Sequence, residues 1–394
     1  MDASKFKMTK FACYSAYFTM SSIFCLPPLL FVTFYEMYGI SWTLLGTLVL
    51  TNFCTQLAVD LIFTVFSKKF NIKKIVRIMP LITSLGLLIY AVFPMAFPNM
   101  AYAGLLLGTI IFSIAAGLSE VLLSPTIAAI PSDNPGQDMS LLHSLYAFGV
   151  FSVVVIGTLF LKFIGEEYWM YLTMFFALLP VIASVLFMLS PMPDMSSDET
   201  SASAPKTKNK TIGIALCVGC IFLGSCAENA MSNWISGYME AQLHIDKALG
   251  DILGMAMFAI LLGITRISYG KWGKNISKML LIGMVGAAGC YLVVGFSNHI
   301  VPSFIACILT GIFTSMLWPG TLILMEEKIP GVGVAAYALM AAGGDMGASV
   351  APQLMGIIAD NFSMKTGMLV CSVFPILGVV LMLVIIRFFR VKKG

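Results

Sequence analysis

Charge is what this sequence has least of. Of its 394 residues only 11% are Asp, Glu, Lys or Arg, whereas 59% are hydrophobic and the mean hydropathy is +0.94. A soluble domain carries about a quarter charged residues because its surface faces water. So little charge over so long a chain excludes a soluble enzyme, a secreted disulfide scaffold and a nucleic-acid module, and points to a polytopic membrane protein. Histidine is scarce as well. The three histidines (His143, His244, His299) are scattered and belong to no His/Asp motif, whereas a membrane enzyme would need a clustered catalytic set. The nine cysteines all fall in apolar runs, and the one CxxC pair, Cys217 and Cys220, has no second ligand pair. They read as small packing residues, and no metal or cofactor is expected. A long soluble domain or tail, which a transporter-like receptor would carry, is missing too.

What the chain does have is apolar length. Runs of roughly 20 residues, enough to cross a hydrocarbon core of ~30 Å, recur at about 10–35, 42–66, 74–96, 100–129, 139–163, 169–190, 211–239, 248–271, 277–297, 301–325, 333–358 and 365–390. Their continuous apolarity lacks the in/out alternation of a barrel strand, so helices are predicted. Three lysines before the first run imitate a signal peptide. Residues 11–34, however, exceed a signal h-region and end in no small-x-small cleavage site, so this run is expected to be the first membrane helix. With twelve spans and both termini cytoplasmic, only Lys162, Lys247 and Lys365 of the 23 Lys and Arg residues fall outside. That is the positive-inside bias, and one missed span would destroy it. The expected fold is therefore all-α and integral to the membrane.

Residues 191–210, PMPDMSSDETSASAPKTKNK, form the only long polar stretch and read as a flexible cytoplasmic linker. They separate a six-helix bundle at 1–190 from another at 211–394. The halves echo each other. Gly117 precedes Pro125 by eight residues, as Gly311 precedes Pro319, and Ile130-Pro131 and Ile329-Pro330 close the same two spans. Asn71-Ile72-Lys73-Lys74 and Asn275-Ile276-Ser277-Lys278 follow the second and eighth spans. Two such pseudo-symmetric halves around a site are the plan of a secondary transporter.

Ionisable residues inside the spans are the candidates for its chemistry, since each costs a few kcal/mol or more when exposed to lipid. They are Asp60, Glu120, Glu228, Arg266 and Asp345, with His143 near a span end. At ~1.5 Å per residue, Glu120 is expected ~15 Å, Asp345 ~18 Å and Glu228 ~25 Å into their spans. These three carboxylates are the candidates for proton coupling, because low dielectric favours a protonated acid; a structural ion pair or a packing hydrogen bond is the other reading of each. Asp60, His143 and Arg266, within ~10 Å of the span ends, read as gating or structural contacts. Pro125 follows Glu120 closely, and Pro27-Pro28 and Trp318-Pro319 are expected to break their helices in the same way.

These features resemble the major facilitator superfamily over essentially the whole chain, and within it the fucose permease group of proton-coupled sugar symporters. That group carries a glutamate four residues before Asn-Pro in its fourth helix, where this chain has Glu120 before Ser124-Pro125. Its seventh-helix glutamate and tryptophan are matched by Glu228 and Trp234, and its eighth-helix Gly-Arg by Thr265-Arg266. Its eleventh-helix pattern is matched by Gly343, Gly344, Pro352, Met355, Gly356 and Asp360. The superfamily's Gly-x-x-x-Asp-Arg-x-Gly-Arg-Arg loop survives only as basic character around Lys68, Lys69, Lys73 and Lys74. The group's first-helix aspartate has no counterpart in the first span, which leaves Glu120 to work alone or with Glu228. The resemblance implies alternating access by two rocking halves, and it brings His143 and Arg266 to similar depth at an inner gate.

A small polar solute, with a sugar as first choice, is the expected substrate, moved with protons across the plasma membrane by a monomer. Sugar sites need amides and aromatic faces, yet there are only four glutamines (Gln56, Gln137, Gln242, Gln353). The candidate substrate-binding residues are Tyr14, Tyr17, Ser21, Tyr146, Asn229, Trp234 and Trp318, with Thr314 beside them; the aromatics could equally be packing or interface anchors. The competing reading is a proton-driven exporter of amphipathic compounds, consistent with 27 Met and 29 Phe.

Overall fold

The computed structural model describes residues 3–40, 42–194, 208–245, 249–329 and 331–390, and these residues fold entirely into helices and their connections. Most of the expected linker, at 195–207, lies outside them, as do Lys247, Pro330, Lys392 and Lys393. Ten described helical stretches are long and apolar enough to cross a membrane. They coincide with the third to twelfth apolar runs. The first two runs are helical too, and the second contains a shorter apolar stretch, Thr47–Phe63.

The chain separates into two compact units. The first contains residues 1–135 and 145–195, and the second contains 136–144 and 196–394. In the first unit run α1 (Lys7–Leu29), α2 (Phe31–Tyr38), α3 (Trp42–Phe66), α4 (Ile72–Ala96), α5 (Ala101–Ala128), α6 (Pro135–Phe163) and α7 (Trp169–Leu189). The opening turns of α6, Gly136–Ser144, group with the second unit. That unit holds α8 (Lys208–Leu243), a π-helical stretch at Gly250–Ala256 leading into α9 (Met257–Trp272), α10 (Ile276–Phe296), α11 (Ile300–Thr314), α12 (Pro319–Lys328), α13 (Val334–Asn361), α14 (Met364–Cys371) and α15 (Val373–Phe388).

The repeated Asn motif has a structural cause. Asn71 caps α4 by accepting the Lys74 amide at 3.1 Å, and Asn275 caps α10 by accepting the Lys278 amide at 3.0 Å. An Asn side chain at this position satisfies one of the amides that a helix start leaves without a partner. The paired glycines also share a task. A Cβ at Gly117 would come 3.2 Å from the Gln56 carbonyl of α3, and one at Gly311 would come 2.6 Å from the Phe258 carbonyl of α9. Each therefore lets its helix lie against a neighbour's backbone, as small residues do in membrane helix packing.

The prolines do not act alike. α5 continues through Pro125 to Ala128, α1 continues through Pro27 and Pro28 and is interrupted only at Leu30, and the tenth apolar run opens into a turn over 315–318 before Pro319. The expectation that all three break their helices alike is corrected on this point: a proline removes one hydrogen bond, and surrounding packing can hold the helix through it.

Packing in each unit follows the same physics. In the first unit Phe34, Tyr90 and Trp169 bring together α2, α4 and α7, with the Phe34 and Trp169 rings edge to face at 4.8 Å. In the second, Tyr238 donates to the Val294 carbonyl at 3.1 Å and Tyr291 donates to the Ala227 carbonyl at 2.7 Å, so α8 and α10 exchange two buried hydrogen bonds. Cys217 and Cys220 are buried in α8, and all nine cysteines are free thiols.

Candidate functional site

Arg266 on α9 is buried to 2% exposure in the second unit. Its Nη2 faces both carboxylate oxygens of Glu228 on α8, at 3.3 Å each. Its Nη1 donates to the His143 carbonyl at 2.9 Å and its Nε to the Ser315 carbonyl at 2.6 Å. In return Ser140 donates its hydroxyl to the Arg266 carbonyl, and the Gln137 side chain packs against Gly270 one turn further on. Arg266 thus joins α8, α9, the opening turns of α6 and the break between α11 and α12. A guanidinium is suited to this because its rigid fork offers five donors in one plane.

Glu228 and Arg266, expected at different depths in their spans, meet side chain to side chain in this ion pair. The 36 residues of α8 measure about 54 Å, so this helix exceeds a ~30 Å core. The contact between Arg266 and His143 runs through the peptide carbonyl of His143, while its imidazole is itself buried.

Beside the ion pair, Asn229 donates to the Ser225 carbonyl and hydroxyl, both at 3.1 Å. The Trp234 indole donates to the Pro352 carbonyl at 3.1 Å and lies over Gly356. That contact uses three of the residues on which the family resemblance rests. Trp318 sits in the α11–α12 turn with its ring over Gly344, next to the buried Asp345. Thr314 donates back to the Thr310 carbonyl at 2.9 Å.

In the first unit Asn52, Gln56 and Asp60 recur every four residues and share one buried face of α3. Asn52 Oδ1 accepts from Gln56 at 3.0 Å and from Ser113 of α5 at 2.6 Å. Glu120 is half-buried on α5, three residues beyond Gly117, where that helix touches α3. Tyr17 and Ser21 are buried on α1. Ser21 donates to the Phe18 carbonyl at 2.7 Å and is met by Gly149 of α6, so its hydroxyl serves helix contact. Tyr14 and Tyr146 are half-buried, and Tyr146 meets Phe24 edge to face at 5.8 Å.

Sequence reasoning therefore named every ionisable member of this arrangement but missed the Ser315 carbonyl, Ser140 and Ser113. Serines are too common to signal a role. The carbonyl was signalled only indirectly, by Pro319.

A profile of the major facilitator superfamily matches residues 11–300 and 217–393. The chain belongs to the major facilitator superfamily. It is thus a multi-pass membrane protein of a transporter family, not one of enzymes. Solved superfamily structures show the same fold. FucP in the outward conformation superposes with a TM-score of 0.76 at 16% identity, covering 97% of this chain and 98% of that one. The proton:xylose symporter XylE gives 0.83 at 13% identity, covering 97% and 96%. The human organic anion transporter MFSD10 gives 0.73 at 11% identity, covering 95% and 99%. A comparison with curated protein sequences finds no match.

Proposed function

We propose that this superfamily member is a proton-coupled symporter that carries a small polar solute, a sugar as first choice, into the cell by alternating access. The reading takes twelve spans in two six-helix halves, 1–190 and 211–394, joined by a cytoplasmic linker at 191–210, with both termini cytoplasmic and a monomer in the plasma membrane. The observation that carries it is the buried Glu228–Arg266 pair at 3.3 Å beside a broken membrane helix. Buried charge inside a bundle is costly and is retained in transporters where protons or solutes pass.

Glu120 is the proton carrier in this scheme, alone or with Glu228, and Asp345 is the third acid available. Arg266, His143 and Asp60 act at the inner gate. Tyr14, Tyr17, Ser21, Tyr146, Asn229, Trp234 and Trp318 are the residues proposed to meet the solute. The structural likeness to two proteins whose names describe them as fucose:proton and proton:xylose symporters supports a sugar, at the level of fold. Reconstitution in liposomes with a panel of sugars tests the solute class. Counterflow of a labelled sugar supports the proposal, whereas a protein that extrudes lipophilic dyes and moves no sugar overturns it.

A further inference from the structure

The two halves share a Gly and a Pro eight residues apart, but only the second half opens its helix there. In a continuous helix the carbonyl of residue 315 would accept the amide of residue 319. Residue 319 is proline and has no amide hydrogen. Ser315 is fully buried, so its carbonyl must find a donor inside the protein. The donor it finds is Arg266 Nε, at 2.6 Å. The neighbouring carbonyls are served from the chain itself: Gly320 donates to Met316 at 2.8 Å, and Thr321 donates to Trp318 at 3.1 Å.

In the first half the carbonyl in the same relation to proline is that of Val121, and α5 runs on unbroken around it. No arginine stands at the position matching Arg266: residues 62–72 contain only lysines among the basic types. Among the described residues, missing amide, open turn and buried arginine occur together at this place in the second half and not at its counterpart in the first.

We propose that Pro319 is a positioning residue of the Glu228–Arg266 site. By withholding its amide it leaves the Ser315 carbonyl as a seat for Arg266 Nε, and this fixes the plane of the guanidinium. With Nε seated, Nη1 reaches the His143 carbonyl and Nη2 presents to both oxygens of Glu228, at the distances observed. An arginine free to turn would keep its charge but lose this fork, and a charge-assisted hydrogen bond depends on direction as well as charge. Restoring an amide at position 319 lets the turn close into helix and draws the Ser315 carbonyl onto its own chain. Arg266 then holds Glu228 with one fewer anchor. The importance of that hold for transport rests on the symporter reading; the geometric claim does not.

The test needs no solute. Dicyclohexylcarbodiimide modifies membrane carboxyls in their protonated form, and mass spectrometry of the purified full chain reads the fraction of Glu228 modified at neutral pH. Pro319→Ala should raise that fraction about threefold or more, the scale of losing part of one net hydrogen bond, while thermal unfolding stays cooperative. Arg266→Gln should raise it at least as much, and adding Pro319→Ala to Arg266→Gln should change nothing further, because both act through one contact. Pro319→Ser restores the same amide and serves if the alanine variant does not fold. Wild-type labelling in both amide-restoring variants, with raised labelling in Arg266→Gln, would overturn the proposal. So would equal, additive increases from Pro319→Ala and Arg266→Gln. Neither result depends on whether the protein moves a sugar.

Discussion

Glu228 and Arg266, 38 residues apart in the chain, meet through both carboxylate oxygens at 3.3 Å with the guanidinium almost wholly buried. The pair carries an asymmetric cost. Removing one partner leaves the other charge buried without compensation, while a neutral acceptor in place of the acid keeps part of the contact. Arg266→Ala is expected to lower stability by about 3–5 kcal/mol. Glu228→Gln should cost less than half as much, because the amide oxygen can still accept from Nη2. Thermal unfolding of the purified variants decides. Equal losses would show that the charge on Glu228 contributes more than its geometry.

The two helix caps should behave as copies of one device. Asn71→Ala and Asn275→Ala each remove a single cap bond, and each is expected to cost about 1 kcal/mol. They lie in separate units, so their effects should add in the double variant. The unfolding midpoint of each single and of the double variant measures this.

Close helix approach makes a sharper contrast between two glycines. A Cβ at Gly347 would come 2.4 Å from the Phe222 carbonyl, which is backbone and cannot give way. Gly289 has nothing within 4 Å. Gly347→Ala should therefore separate α8 from α13 and cost about 1–3 kcal/mol, whereas Gly289→Ala should be near neutral. Detergent-stable yield and unfolding temperature of the two variants provide the comparison.

Much of this was legible in the sequence, for identifiable reasons. Continuous apolarity located the helices because lipid leaves the backbone no other partner. The Asn-Ile-Lys-Lys and Asn-Ile-Ser-Lys echoes marked true helix starts because an amide cap acts locally, within three residues. The ion pair was not legible. It joins residues 38 apart on two different helices, and no local pattern records such a tertiary contact. Three proline sites looked equivalent, yet α5 continues through Pro125, α1 continues through Pro27-Pro28 as far as Leu29, and the turn at 315–318 precedes Pro319, where Arg266 donates to the Ser315 carbonyl. Trp234 and Ser21 carry contacts that no local pattern announces: the indole donates to the Pro352 carbonyl 118 residues away, and Ser21 donates to the Phe18 carbonyl where Gly149 packs against it.

The proposed role of Glu120 in coupling solute to protons is open to a direct measurement. In liposomes holding the purified protein, an inward proton gradient is imposed and pH inside is recorded as sugars are added outside. Sugar-dependent acidification in the wild type that disappears in Glu120→Gln, with counterflow retained, is the predicted result. Undiminished acidification in Glu120→Gln would contradict the account.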